Sequence, residues 1–170
     1  MKNLILGLIA ASSFFVSDLG LESASAATMA YRQYYSNWSY RPQQSYYVRR
    51  YYYKPSVSYS SYNYHYCVYY PQTYSTQQRY SRYVYYYNPV RKVYWGRFDL
   101  EGKDGEQYSL LKEADQKENL DDIPEKAFPK PGKMPVIPES EDMVPIQPID
   151  SKDLPDDSTL EDMPAAPKKP

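Results

Sequence analysis

Hydrophobic and aromatic positions are unevenly distributed along the chain, and their pattern predicts one small β region. Between residues 83 and 111, the segments "YVYYY", "VYWGRFDL" and "EQYSLL" are separated by "NPVRK" and "EGKDG". Aromatic and apolar runs that flank turn residues are typical of β-hairpins. We therefore expect a hairpin or a three-stranded meander over about 83–111, which is close to the minimum for independent stability.

The preceding region, residues 28–82, is rich in Tyr, Arg, Gln and Ser and poor in aliphatic residues. A buried tyrosine needs a hydrogen-bond partner for its hydroxyl, so such rings are expected at surfaces and interfaces. Aromatic residues favour extended structure, and the prolines limit each run to a short strand. In "SYNYHYCVYY", alternation places Tyr62, Tyr64 and Tyr66 on one face and His65 and Cys67 on the other.

The C-terminal part of the chain shows no periodic hydrophobic pattern. Residues 112–123 are polar, and the i,i+4 spacing of Glu113 and Lys117 is compatible with a short helix. Residues 124–170 are acidic and proline-rich, a composition typical of extended, disordered coil. The fold class expected for the whole chain is therefore largely disordered and of low complexity, with short strands in the Tyr-rich region and no large globular core.

The N-terminus has the features of a secretory signal peptide, residues 1–27. Lys2 precedes the apolar run "LILGLIAASSFFV", and the small residues Ala24, Ser25 and Ala26 have the pattern of a cleavage site. This order predicts cleavage after Ala26 or Ala27. The run is shorter than the roughly 20 residues of a membrane span, so no transmembrane span is expected in the mature chain. The predicted location is secreted, periplasmic or in the cell envelope.

The net charge of −1 conceals two opposite blocks. Residues 31–97 contain eight Arg, two Lys and no Asp or Glu, which gives +10, whereas residues 98–170 contain nine Lys and nineteen acidic residues, which gives −10. A total near zero provides little colloidal repulsion and favours self-association.

His65 and Cys67 are each the only residue of their type in the chain. A protein-held zinc ion usually needs three or four ligands, and nucleophilic catalysis needs a rigid scaffold around the nucleophile and base. We therefore expect no catalytic residues, metal or cofactor, and no enzyme activity. An unpaired cysteine in an exported protein makes Cys67 a candidate for an intermolecular disulfide.

The strongest constellation is tyrosine interleaved with arginine in the absence of acidic residues. Guanidinium groups stack on aromatic rings, while arginine attracts anionic polymers and exposed rings stack on planar groups. The candidate residues for binding anions or aromatic groups are Arg49, Arg50, Tyr51, Tyr52, Tyr53, Arg79, Arg82, Tyr85, Tyr86, Tyr87 and Trp95.

These features predict an exported structural or interaction protein of the cell envelope or extracellular matrix. It would act through Tyr/Arg stacking and through charge pairing with its acidic tail. Two alternatives are a binding module for anionic glycan or extracellular nucleic acid, and a small β platform that recognises proline-rich segments. Expected partners are other copies of the chain or matrix polymers, protein or anionic polysaccharide, and export argues against intracellular nucleic acid.

The segment "WGRFDL", the later "YSLL" and the acidic proline-rich tail are the most specific features of the layout. In this layout the chain resembles uncharacterised secreted tyrosine-rich proteins of bacteria. The resemblance covers most of the chain, and its most specific part is residues 93–137. It implies export and implies no known activity.

Overall fold

The computed structural model describes residues 31–71 and 81–155. The predicted signal peptide with Ala26 and Ala27, the candidate residue Arg79 and the last fifteen residues lie outside these ranges. Among the described residues, no helix has the length and apolar character needed to cross a membrane.

The described chain forms one curled antiparallel sheet of seven strands. These are β1 (Gln33–Tyr35), β2 (Ser39–Arg41), β3 (Tyr46–Tyr53), β4 (Asn63–Tyr69), β5 (Tyr83–Asn88), β6 (Val93–Lys103) and β7 (Glu106–Leu110). β1 and β2 both pair with β3, and β4, β5, β6 and β7 follow in sequence order. Every strand therefore pairs with a neighbour that is close in the chain, and every pairing is antiparallel.

The alternation of side chains along β3 and β4 gives the sheet an inner and an outer face. In β3, Tyr47, Tyr51 and Tyr53 are buried, whereas the intervening even-numbered residues are partly or fully exposed. The register pairs Tyr51 with His65 and Tyr52 with Tyr64. Because directly opposed residues of an antiparallel pair lie on the same face, odd-numbered residues of both strands face inward and even-numbered residues face outward.

The inner face carries a core built mainly from aromatic rings. Its buried members include Tyr47, Tyr51, Tyr53, Cys67, Tyr69, Val84, Tyr86, Trp95, Phe98 and Tyr108. A proline-rich strap, residues 132–149, covers this face and buries Ile137, Ile146 and Ile149 against it. Backbone hydrogen bonds of 2.8–2.9 Å in both directions join Tyr108 to Gly132 at the start of the strap.

Side-chain hydrogen bonds fasten the strap to β1. The Gln33 side-chain amide donates to the Pro145 carbonyl oxygen over 3.0 Å, and its own oxygen accepts from the Gln147 backbone N–H over 2.9 Å. The Tyr35 hydroxyl donates to the Gln147 carbonyl oxygen over 2.7 Å. Arg32, which is almost fully buried, forms an ion pair with Asp142.

A second segment, residues 111–128, packs on part of the outer face and is called the acidic segment below. It contains three 3₁₀ turns, Glu113–Asp115, Leu120–Asp122 and Glu125–Ala127. Its Leu111, Leu120 and Ile123 are buried in a cluster with Tyr85 of β5.

The prediction of a largely disordered chain without a sizeable core is wrong for the described residues. Tyrosine rings occupy the positions that aliphatic residues fill in most cores, and hydrogen bonds between hydroxyls and other polar groups make the burial of several of them tolerable. For example, the Tyr51 hydroxyl donates to Gln33 Oε1 over 2.7 Å, and the Tyr35 and Tyr86 hydroxyls lie 2.9 Å apart. The strands β5, β6 and β7 lie within residues 83–111, but they continue the larger sheet.

Candidate functional site

A row of five tyrosines, which we call the tyrosine ladder, runs across the outer face of β1, β3 and β4 and includes the residue just before β4. Its members are Tyr62, Tyr34, Tyr52, Tyr64 and Tyr66. The successive ring centroids are 5.1, 4.8, 5.9 and 5.5 Å apart. Tyr34 is 43% exposed and Tyr64 is 37% exposed. Ring separations of 4.5–7 Å are typical of favourable aromatic pairs, so the ladder is a continuous aromatic surface open to solvent.

Arg50 lies on the same open surface, where its guanidinium is 5.3 Å from the Tyr64 ring centroid and 5.8 Å from that of Tyr66. Hydrogen bonding to the hydroxyls of Tyr52 and Tyr66 raises the pKa of Arg50. The side chain is exposed and keeps its charge, so the ladder combines ring faces with a fixed positive charge.

A groove of about 460 Å³ adjoins the ladder on the outer face. Its floor contains Tyr46, Tyr66, Tyr87 and Tyr94, contributed by four different strands. Its polar rim is formed by Arg41, Glu118 and Asn119. Because Tyr66 belongs to both the groove and the ladder, the two features form one surface, which we call the open half of the outer face.

The arginines of the described residues divide into two groups according to their partners. Four are ion-paired: Arg32 with Asp142, Arg82 with Asp99, Arg91 with Glu113 and Arg97 with Glu125. In the part of the chain that the structure describes, Arg41, Arg49 and Arg50 have no carboxylate partner, and all three lie on β2 and β3. The arginines without a carboxylate partner are therefore concentrated near the edge of the sheet that β1 and β2 form.

Arg49 differs from the other two because it points into the inner face. Its guanidinium lies 4.2 Å from the Tyr35 ring centroid and 4.5 Å from that of Trp38, and the residue is only 4% exposed. Its Nε and Nη2 atoms have no hydrogen-bond partner, and neither has Nε1 of Trp38. Ring faces on both sides therefore compensate the buried charge of Arg49, and Arg49 does not belong to the open half.

The other half of the outer face is covered by the acidic segment, and we call it the covered half. The Arg97 guanidinium lies 3.8 Å from the Tyr83 ring centroid and 4.0 Å from that of Phe128. Glu125 accepts two hydrogen bonds from this guanidinium, at 2.9 and 2.5 Å. Bidentate arginine–carboxylate pairs are among the strong polar contacts of proteins, so the covered half is both neutralised and packed.

The structure distributes the sequence-predicted binding residues over different environments. Arg50, Tyr52 and Tyr87 lie on the open half. Arg49, Tyr51, Tyr53, Tyr86 and Trp95 are buried in the inner core, Tyr85 is buried in the covered half, and Arg82 is bound to Asp99. Burial raises the pKa of Tyr53 to about 12 and raises that of Tyr86 well above its ordinary value. These inner residues act in packing in the described state.

Several residues of the open half were not among the predicted binding residues, namely Tyr34, Arg41, Tyr46, Tyr64, Tyr66 and Tyr94. The alternation in "SYNYHYCVYY" already placed Tyr64 and Tyr66 on one face. The pairing of that face with Tyr52 and Tyr34 depends on strand register, for which the sequence offered no signal.

His65 and Cys67 lie side by side on the inner face of β4, and both are buried. Burial lowers the pKa of His65 to about 4, and the Tyr53 hydroxyl is 3.4 Å from its Nε2 atom. Burial also raises the pKa of the free Cys67 thiol to about 12. A disulfide to another chain would require the sheet to open, so the intermolecular disulfide stays a prediction for such an opened state.

The described residues contain no group of three or more potential metal ligands. Their polar features include the open half and the ion pairs to the two covering segments. No protein-family model, curated protein or solved structure matches the chain.

Proposed function

We propose that the protein is an exported interaction protein of the cell envelope or extracellular matrix that self-associates through its outer face. In this proposal, the open half of one copy binds an acidic, proline-rich segment of another copy. The observation that carries the proposal is the covered half, where an acidic segment of the same chain already occupies a Tyr/Arg surface of the same sheet. Export is supported by the predicted signal peptide.

The covered half indicates the kind of ligand that this surface accepts. A carboxylate from Glu125 pairs with Arg97, while an apolar neighbour, Ile123, is buried beside Tyr85. The combination of acidic, apolar and proline residues therefore supplies both charge pairing and ring contact, and the proline limits the conformational freedom lost on binding.

The same combination recurs along the chain. "DDIP", residues 121–124, covers the outer face through Ile123, and "EDMVP", residues 141–145, belongs to the strap and pairs with Arg32 through Asp142. A further phrase, "EDMP", occupies residues 161–164, outside the described ranges. Residues 156–170 contain four acidic residues and two lysines, so this segment is the candidate ligand for the open half of a neighbour.

The open half is complementary to such a segment. Arg41 and Arg50 are exposed and lack carboxylate partners in the described residues, and the ladder provides ring faces beside them. Charge complementarity of this kind steers association and makes it dependent on ionic strength.

The test compares the full chain with a chain that ends after Pro155, by sedimentation velocity over a range of protein concentrations and salt. We expect the full chain to associate and the truncated chain to remain monomeric. A synthetic peptide of residues 156–170 should bind the truncated chain, and more weakly as salt increases. Association of the truncated chain as strong as that of the full chain would contradict the proposal.

A matched pair of substitutions locates the binding surface. Arg50→Gln removes a charge without a carboxylate partner from the open half, and Arg91→Gln removes an exposed charge that pairs with Glu113 on the covered side. We expect Arg50→Gln to weaken peptide binding about threefold, since an exposed charge contact is worth about 0.5–1 kcal/mol. Arg41→Gln combined with Arg50→Gln should weaken it about tenfold, and Arg91→Gln should leave it unchanged.

An anionic polysaccharide is a second candidate ligand, favoured by the groove. Four tyrosines on its floor could stack on sugar rings, while Arg41, Glu118 and Asn119 could bind hydroxyl and acidic groups. The truncated chain separates the two candidates. Salt-sensitive binding of the truncated chain to a uronic-acid or sulfated polysaccharide, without binding of the peptide, would favour the glycan. The third hypothesis, a small β platform over about 83–111 that recognises proline-rich segments, stays a prediction.

A further inference from the structure

We propose that Tyr34 is a site of oxidative crosslinking and that its first partner is Tyr52, which produces a dityrosine bond between β1 and β3. The rings are 4.8 Å apart at their centroids and nearly parallel, with an interplanar angle of 17°. The two residues are directly opposed in the strand register. Of the ring contacts within the ladder, this one is the shortest.

Tyr34 is the centre of the reactive cluster because it also contacts Tyr62, at 5.1 Å. It is 43% exposed, so an oxidant can reach its ring. Inner-face tyrosines such as Tyr51 and Tyr86 also lie near other rings, but they are fully buried. Exposed side chains change rotamer on the picosecond to nanosecond scale, which allows the Tyr34 ring to move from a stacked to an edge-to-edge position.

The chemistry requires an oxidant, and its class is a haem peroxidase that uses hydrogen peroxide. Each of the two phenols loses one electron and its hydroxyl proton, which gives two phenoxyl radicals. The radicals join through a carbon–carbon bond between ring positions ortho to the oxygens. Each ortho carbon then releases its proton, and each oxygen regains one. The net loss is two hydrogen atoms, and hydrogen peroxide accepts the two electrons and two protons to form two water molecules.

The neighbouring rings of the ladder also favour a crosslink between Tyr34 and Tyr52 over other crosslinks. The ladder extends from Tyr52 to Tyr64 and Tyr66 without a break in ring contact. A radical formed on any of these rings can migrate along the row by electron transfer between adjacent tyrosines. The closest pair, Tyr34 and Tyr52, is then the place where two radicals combine.

The dityrosine bond would hold β1, which otherwise has few contacts with the sheet, in place on β3. β1 has only three residues and lies at the edge of the sheet, where it pairs with β3 alone. A covalent bond between their side chains would prevent β1 from separating and would keep Gln33 and Tyr35 in contact with the strap.

The experiment treats the full chain at low protein concentration with peroxidase and hydrogen peroxide. We expect dityrosine fluorescence, a monomer on a denaturing gel, and a crosslinked peptide pair joining Tyr34 to Tyr52 by mass spectrometry, with the mass of two hydrogen atoms lost. Tyr34→Phe should abolish this product, because phenylalanine forms no phenoxyl radical. Tyr52→Phe should redirect the crosslink of Tyr34 to Tyr62.

Tyr59→Phe is the matched control, because Tyr59 is 49% exposed and makes no ring contact in the described residues. It should leave the yield unchanged. A circular dichroism spectrum of each variant establishes that the sheet is retained. Crosslinks spread evenly over exposed tyrosines, crosslinks found only between chains, or full yield in Tyr34→Phe would each overturn the proposal. These outcomes do not depend on whether residues 156–170 bind the open half.

Discussion

The covered and open halves of the outer face are made of the same residue types, and they differ in what lies on them. On the covered half, Arg97 is nearly buried between Tyr83 and Phe128 and binds Glu125. On the open half, Arg50 lies over Tyr64 and Tyr66 in solvent and has no carboxylate partner among the described residues. The presence of tyrosine and arginine therefore does not decide whether this surface is neutralised and covered, because on the covered half an acidic segment does both.

The difference also affects the energy of each half. A hydrogen bond to a charged group contributes about 1.5–3 kcal/mol to stability, and Arg97 makes two of them to Glu125. An exposed cation–π contact such as that of Arg50 contributes only about 0.5–1 kcal/mol. These polar contacts therefore stabilise the covered half more than the open half.

The largest expected effect is a pH dependence of the core beneath the open half, where His65 lies on the inner side of β4. Its pKa is about 4 in the folded chain, against an ordinary value of 6.5. Between these values the unfolded chain binds the extra proton, so stability falls as pH falls from about 6.5 to 4. The full shift corresponds to about 3 kcal/mol.

Urea unfolding from pH 7 to pH 4 measures this effect. The His65→Gln variant retains the carboxylates that also titrate at acid pH, so the difference between its profile and that of the natural chain isolates His65. If the free energy of unfolding changed with pH equally in the two proteins, His65 would not be the acid-sensitive group. The core around His65 would then be more accessible to water than its burial indicates.

A smaller effect is expected when the cover is loosened. Ile123 is 2% exposed and packs on Tyr85, so Ile123→Ala should reduce the free energy of unfolding by about 2–3 kcal/mol. Hydrogen exchange should increase first at residues 111–128. Val90→Ala, at a position that is 87% exposed, is the control and should change stability by less than about 0.5 kcal/mol. An equal effect of both substitutions would mean that the acidic segment does not cover the sheet.

The smallest expected effect on the free energy of unfolding comes from substituting the arginines of the two halves, Arg97 and Arg50. Arg97→Gln leaves Glu125 without its bidentate partner and should cost about 2 kcal/mol in denaturant unfolding. Arg50→Gln should change stability by no more than about 1 kcal/mol, because it removes only exposed cation–π contacts. If the two substitutions cost the same, the covered and open halves would not differ in the way that their contacts indicate.

The sequence predicted parts of this arrangement because some signals are local. Alternation in the Tyr-rich region assigns Tyr64 and His65 to opposite faces, and turn residues mark the ends of β5, β6 and β7. The covering segments gave no comparable signal. Ile137, Ile146 and Ile149 show no helix or strand periodicity and lie in a segment rich in acidic residues and prolines. Their burial therefore depends on a sheet formed more than 25 residues earlier in the chain.

The residues of the open half could not be predicted from local sequence patterns either. Arg49 and Arg50 are adjacent, yet one is buried between Tyr35 and Trp38 and the other is exposed, because successive residues of a strand point to opposite faces. Pairings such as Arg97 with Glu125, 28 residues apart, follow from tertiary packing rather than from sequence spacing.

The hydrogen bonds between Tyr108 and Gly132 have a consequence for how this sheet can grow. β7 is an edge strand, and an unpaired edge is a template for adding strands from other molecules, which leads to fibrils. Gly132 occupies that edge, and Pro131 and Pro135 on either side cannot donate the hydrogen bonds of a continuing ladder. The opposite edge is formed by β1 and β2, which have three residues each, and β2 ends before Pro42. These features shorten the unpaired strand edge that the described sheet offers for edge-to-edge stacking.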